Sequence, residues 1–535
     1  MSERGREASR ARRRGARRSR RVALAFLAAL AAPSADARAE SLTPSDVIRQ
    51  VVEKNPTLRA TVQGVAAARA SVDSESARYD PTLKVTLGGT RTRNPSLSTN
   101  GVLVGSSETV QAEATLSKTL SLGTEIYGTV GSTWSRMGSP IFLGSAQSGT
   151  TPLVLTLGPG YLFSAKAGVT QPLLRGAGRD VVMAAYDQAL AQRSVADRER
   201  DRQASTLARD ALSAYWELWY ASAALAVDRA ARDVALAQRD DALARTATGS
   251  LARADVLTFE TQLASKEETV MQSELDRRTR ANDLARLLGR DAGGDDLEIV
   301  DVAPPDTVDA PAGETDALVA RALASSPDVG AKRAAVELAA VKERTAADPY
   351  RARLDLDAYV QAQGLGNDDV PSAFTQLAGL GALSAHVGLT LELPLTATRA
   401  RGEADRARAT TESAESELTA AKQSVASDVS SARHKHELAR RRVELASESV
   451  RYAEAQLDAE KERFKTGSGT ALQVIQSQDS VQSAAKRLAR ARADRVEARL
   501  ALSHLTGDLL SEVASAAPRR ASSIVGWSAP RVGPF

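Results

Sequence analysis

Proline is absent from Leu173 to Ala303, and this run folds in half at Thr248-Gly249-Ser250. A proline inside a helix costs about 3 kcal/mol, so its absence over such a span permits very long helices. Arg179 to Ala247 lacks glycine as well and is dense in Ala, Leu, Arg, Asp and Glu. As a single helix it would be ~100 Å long, beyond what an ordinary globular domain needs. The device recurs: Leu395 to Ala517 is proline-free and breaks at Thr466-Gly467-Ser468-Gly469. A helical hairpin of this length, present twice, calls for a long tube or rod.

Aromatic residues make up only 4 % of the chain while apolar residues reach 43 %, with alanine supplying much of the difference. Small apolar side chains let helices approach closely but build a poor thick core, which favours coiled-coil-like walls. The net charge of +4 misleads, because residues 1–39 carry eleven Arg against Glu3, Glu7 and Asp36. The remainder is slightly acidic, with charges interspersed as on solvated helix faces. Nothing there points to nucleic acid.

Residues 1–39 read as a signal peptide: a basic Arg10–Arg21 segment, an apolar Val22–Ala32 core, then small residues ending at Ala37 or Ala39. Ser19-Arg20-Arg21 hints at twin-arginine export, but Ala23 stands where a strongly hydrophobic residue is usual, favouring the general secretory route. No later run is apolar and long enough for a transmembrane helix. The chain has no Cys, which excludes disulfides, thiol catalysis, thiolate metal sites and a lipid-anchored cysteine.

Asn55-Pro56 reads as a helix N-cap followed by proline in the first turn, with the helix stopping at Asp80-Pro81. From Pro81 to Pro172 only nine residues are charged and none is Asp. Alternation begins there. Leu83, Val85 and Leu87 oppose Thr82, Lys84 and Thr86; Val110 to Leu116, Ile126 to Val130 and Tyr161 to Val169 follow the same rule. The pattern predicts strands of about ten residues, one face apolar, matching the length of membrane strands. Tyr215, Trp216, Trp219 and Tyr220 in the first hairpin are expected at a helix-helix seam.

The second half repeats the first. Ser326-Pro327 matches Asn55-Pro56, and Asp348-Pro349 matches Asp80-Pro81. Strands follow at Leu354–Val360 and Leu383–Leu393, and the second hairpin carries Val443, Ala446, Val450, Ala453, Leu457 and Phe464 at a 3-4 spacing interrupted only at Glu460. Leu502-Ser-His-Leu-Thr-Gly507 repeats Leu284-Ala-Arg-Leu-Leu-Gly289. The expected organisation is a signal peptide (1–39), leading helix (40–80), strands (81–172) and first hairpin (173–290). A linker (291–313) joins these to a second leading helix (314–349), strands (350–394), second hairpin (395–510) and a tail (511–535).

A helix ending at X-Pro, strands, a Gln171-Pro-Leu-Leu-Arg-Gly176 exit and a long Gly-Ser-tipped hairpin, all duplicated, resemble TolC-type outer-membrane efflux proteins. The resemblance spans roughly 42–510 and implies a mainly α chain with a membrane β-barrel. Three copies would share one barrel and one helical tunnel across the periplasm. It further implies a passive duct for efflux or type I secretion, meeting a periplasmic adaptor and an inner-membrane pump, with no cofactor. Adaptor contacts are expected at Gly249, Ser250, Leu251 and Ala252, and at Gly467, Ser468, Gly469 and Thr470.

Two departures stand out. The first strand region holds four candidate strands where the family pattern gives two, which leaves four or six barrel strands per chain. At the periplasmic entrance, the family's two acids of the second tip fall on Gln473 and Gln476. Its locking arginine falls on Gly469, that arginine's aromatic companion on Phe464, and the first-tip acid on Asp255. The resemblance therefore implies a weaker electrostatic filter and a looser lock.

No catalytic constellation is visible. The four histidines are His386, His434, His436 and His504; His434 and His436 are two apart, which denies them a shared helix face, and solvated helix positions suit them better than metal ligation. Gly176-Ala-Gly178 lacks a following phosphate-loop Lys, and Glu267-Glu268 has no evident cleft. The rival reading is a periplasmic coiled-coil structural or adaptor protein, which leaves the duplicated strand pairs unexplained.

Overall fold

The computed structural model describes residues 42–98, 101–141, 153–248, 252–290 and 314–516. The expected signal peptide and inter-repeat linker, and Gly249, Ser250 and Leu251, lie outside the described residues.

The duplication is visible element by element. Helices α1 (Pro44–Lys54) and α2 (Pro56–Ser76) lead into strands β1 (Thr82–Ser98), β2 (Gly101–Thr119), β3 (Glu125–Ile141) and β4 (Leu153–Pro172). A short α3 (Arg179–Val182) precedes the first hairpin, α4 (Ala184–Ala247) and α5 (Arg253–Leu287). Helices α6 (Thr315–Ser325) and α7 (Pro327–Ala346) open the second half. It continues with β5 (Arg353–Asn367), α8 (Val370–Ala378), β6 (Ala382–Glu392), α9 (Thr398–Lys465), α10 (Ala471–Leu505) and α11 (Asp508–Ala516).

The caps explain the boundaries. Asn55 Oδ1 accepts the N–H groups of Thr57 and Leu58 at 2.9 and 3.1 Å, with Pro56 in the first turn of α2. Ser326 shares the proline but makes no side-chain cap, so the two repeats have diverged here. Gly289 and Gly507 close the two hairpins with φ of 69° and 78°, the left-handed conformation that ends a helix most easily at glycine. The stretch expected as one helix from Arg179 is broken at Met183, whose φ/ψ of −83°/2° separates α3 from α4. The expected tail is helical at its start, because α11 runs to Ala516.

Among the described residues the six strands form one antiparallel sheet in sequence order. Five of them have 15 to 20 residues, β6 alone having 11. The expectation of about ten residues is therefore too short. Apolar alternation marks only the part of each strand that needs an apolar face. Beyond it the backbone ladder continues through Ser, Thr, Gly and Asn in β1, and through unalternating runs such as Val102-Leu103-Val104 of β2 and Leu153-Val154-Leu155 of β4, which carry no such signal.

The register collects the apolar residues on one face. Leu83 pairs with Leu116, Val85 with Ala114, Ala114 with Val130, Val130 with Ala165, and Ala358 with Val387. Leu83, Val85, Leu116, Val130 and Val387 are each more than half exposed. Helix α8, which no sequence signal announced, covers part of β5. A Cβ on Gly364 or Gly366 would fall on the carbonyl oxygens of Ala373 and Asp369. Gln376 Oε1 also accepts the Leu365 N–H at 2.8 Å.

The chain divides into two compact units. One contains the described parts of 1–47, 214–306 and 450–493, with a core of Ala242, Val256, Phe259 and Ile475. The other holds the sheet and a core of Leu318, Ala322, Val329, Val425 and Val429.

Candidate functional site

The described residues at both hairpin tips lie in the first unit. At the second, Gly467 takes φ +78° and the Ser468 and Gly469 N–H groups return to Arg463 O at 2.9 and 3.1 Å, ending α9. The next helix starts with a capping box. Gln473 Oε1 accepts the Thr470 N–H at 2.9 Å, while Thr470 Oγ1 faces the Gln473 N–H at 3.3 Å. Thus Gln473 also shapes the turn, and Gln476 is exposed one helical turn on. Thr470, Gly467 and Ser468 are exposed, and so is Ala252 at the other tip. Asp255 sits in the first turn of α5, and its side chain lies outside the described residues.

Gly469 and Phe464 adjoin at the end of α9. A Cβ on Gly469 would lie 3.1 Å from Phe464 N and 3.2 Å from Arg463 C. An arginine at this position would therefore have to move the last turn of α9. Phe464 instead receives a guanidinium from the other hairpin: Arg245 of α4 lies 5.7 Å from its ring centre and is ion-paired with Asp241 at 2.9 Å. The two side chains line a cavity of about 180 Å³ together with Gln238, Phe259, Lys461 and Val474.

Sequence reading missed Arg245, and it missed a polar chain further from the tips. Lys266 of α5 donates to Asp479 at 2.7 Å and to Gln482 at 2.5 Å on α10. Gln482 Nε2 donates to Asp228 at 2.6 Å, and Ser273 Oγ donates to the same carboxylate at 2.5 Å. Asp228 is 1 % exposed. The signal was present: Leu218, Ala221, Leu225 and Asp228 follow one 3-4 stripe, so the acid falls in a row otherwise apolar and buried. The aromatic cluster is where expected. Tyr215, Trp216 and Trp219 are buried, the Trp216 ring edge-on to both neighbours, and Tyr215 donates to Leu42 O at 3.2 Å.

The histidines need correction. His434 is exposed as read, but His436 is buried, and so is His504. His436 falls on the α9 stripe with Val425, Val429, Ala432 and Ala439. His504 Nδ1 is 2.8 Å from Ser205 Oγ. Burial, with the Arg209 charge second, lowers its pKa from the usual 6.5. Among the described residues no group of His, Asp and Glu could hold a metal ion.

On the polar face of the sheet, Lys166 sits 3.7 Å from the Tyr359 ring centre and 5.2 Å from that of Tyr127. Tyr359 stacks on His386 at 4.9 Å. Gly168 makes this possible, since a Cβ there would reach both tyrosines within 2.8 Å.

Long paired helices joined to an open sheet with one exposed apolar face define a membrane channel subunit whose sheet is part of a barrel. A sequence model of the outer membrane efflux protein family matches residues 47–290 and 318–508. The chain belongs to that family. No curated protein sequence matches it.

Among solved structures, the outer membrane protein VceC of Vibrio cholerae is similar at 16 % identity and TM-score 0.60, over 87 % of this chain and 96 % of that one. The CmeC outer membrane channel of Campylobacter jejuni is similar at 12 % and 0.62, over 91 % and 95 %. The open state of the Neisseria gonorrhoeae MtrE channel is similar at 19 % and 0.60, over 87 % and 88 %. At such identities the likeness is one of fold. Family membership places the protein in the outer membrane as a channel, not an enzyme. It leaves no ground for the scaffold reading.

Proposed function

We propose that three copies of this chain form the outer-membrane duct of a tripartite efflux or type I secretion system. A periplasmic adaptor and an inner-membrane pump would meet its hairpin tips. The carrying observation is the sheet. Its strands run β1 to β6 with no return of β6 to β1, and backbone groups left open in lipid cost several kcal/mol each. Neighbouring copies satisfy both edges. With six strands per chain, three copies close an eighteen-stranded barrel, wider than one built from four strands per chain.

Transport through it is passive, and the pump selects the cargo. Gly467, Ser468, Gly469, Thr470 and the 249–252 tip serve as adaptor contacts. Phe464, Arg245, Gln473 and Gln476 line the entrance, and Asp255 is the acid that the first tip contributes to the same assignment. The test is single-channel conductance in planar bilayers beside the detergent-solubilised mass. A trimer with stable pores is expected. A soluble monomer or dimer without conductance overturns the reading.

A further inference from the structure

The lipid-facing side of the first three strands is ordered in level. On β2, outward positions Leu116, Ala114, Ala112 and Val110 lie between Lys118 and Glu108. The enclosed span, residues 109–117, matches the roughly nine to eleven residues that cross a hydrocarbon core. Trp134 of β3 pairs with Val110 and with Tyr161 of β4, so an aromatic pair marks the upper edge of this band. Such rings settle at the headgroup level.

One step above on the same face comes a charged row. Arg91 of β1 pairs with Glu108, and Glu108 with Arg136 of β3. Arg91 Nε lies 3.0 Å from Glu108 Oε1, which fixes both side chains on this face. Arg93 follows on the same face of β1. All three arginines are exposed. This is the end of the sheet opposite the exit into the first hairpin: at the other end, the turn between β2 and β3 meets the β4 exit, where Gly178 N–H donates to Leu122 O at 3.4 Å.

We propose that Arg91, Arg93 and Arg136 bind the phosphorylated glycolipid headgroups of the outer leaflet. Adjacent strands stand about 4.8 Å apart, so the three guanidinium groups are presented within roughly 10 Å, at the depth where lipid phosphates lie. Guanidinium binds phosphate in bidentate fashion, which ammonium cannot do. Glu108 neutralises part of Arg91 and leaves the patch net positive. The proposal rests on β1 to β3 standing in the outer membrane, which the function proposed above requires.

The experiment is mass spectrometry of the intact trimer from vesicles of phosphatidylcholine containing lipid A, alongside vesicles containing its dephosphorylated form. Each arginine near the surface contributes about fivefold in affinity, so Arg91→Gln/Arg93→Gln/Arg136→Gln should lose more than tenfold of the retained lipid A. The triple Arg→Lys variant should fall between the two. Wild type should discriminate against the dephosphorylated lipid. Equal retention by wild type and the Gln variant overturns the proposal, as does full displacement by millimolar inorganic phosphate, which would mark a free-anion site.

A single-cysteine Leu116→Cys variant separates failure of the proposal from failure of its premise. With β2 in lipid, a membrane-impermeant maleimide leaves it unlabelled. Labelling would remove these strands from the membrane and the proposal with them.

Discussion

The ammonium of Lys486 on α10 lies 2.6 Å from the carboxylate of Asp228 on α4, whose side chain is wholly shielded from solvent. Asp228 also takes Ser273 of α5, so one buried acid ties three helices of both hairpins. Removing one partner of a buried pair strands the other. Asp228→Ala should therefore destabilise by about 3 kcal/mol, read as a lower melting midpoint in detergent. An unchanged midpoint would show that the helices hold without this tie.

The two glutamines proposed for the entrance carry an electrostatic expectation. Restoring acids with Gln473→Asp and Gln476→Asp should shift the bilayer reversal potential toward cation selectivity, since rings of acidic side chains favour cations. Gln473→Ala should leave selectivity unchanged and remove half of the capping box, costing about 1 kcal/mol. A reversal potential identical in the double Asp variant and wild type would place these residues off the conduction path.

Gly507 ends α10 where the chain meets α6. It holds φ +78°, and a Cβ would lie 2.5 Å from Ser325 O. Gly507→Ala should cost about 2 kcal/mol, combining left-handed strain with the displaced carbonyl. Gly467 shares the φ, but a Cβ there would meet no atom within 4 Å, so Gly467→Ala should cost only about 1 kcal/mol. Thermal midpoints of the two variants, side by side, check the difference.

His504 gives the protein an acid limb. Burial and Arg209 lower its folded pKa below the usual 6.5, so the folded state binds this proton less readily than the unfolded chain. The stability it protects is complete above pH 6.5 and declines as pH falls from there through the folded pKa. Asp328, 3.9 Å from Nε2, opposes the shift without overcoming it. His504→Gln should flatten stability against pH in that window. A profile that falls identically would assign the acid limb to other groups.

What the sequence displayed were features of composition and period. Two proline-free runs with Gly-Ser breaks located the hairpins, and Leu-x-x-Leu-x-Gly endings located Gly289 and Gly507. The Asn55 cap was readable because one side chain performs it. What stayed hidden depends on pairing across the chain. The upper strand parts lack a clean alternation, being polar in β1 and continuously apolar at the start of β2 and β4, and α8 is docked by two glycines of β5 whose role exists only when the helix lies on them. Arg245 gave no local sign that it would meet Phe464, 219 residues away. Asp228 was legible, had its 3-4 phase been followed through the apolar row.

The uncompleted sheet also sets terms for biogenesis. A single copy entering the bilayer would carry two unsatisfied backbone edges into hydrocarbon, whereas a copy waiting in the periplasm exposes an apolar face to water. Neither lone state is stable, so insertion and assembly must be one event. The yield of finished ducts should then rise more steeply than in proportion to the supply of chains, and collapse when that supply is scarce.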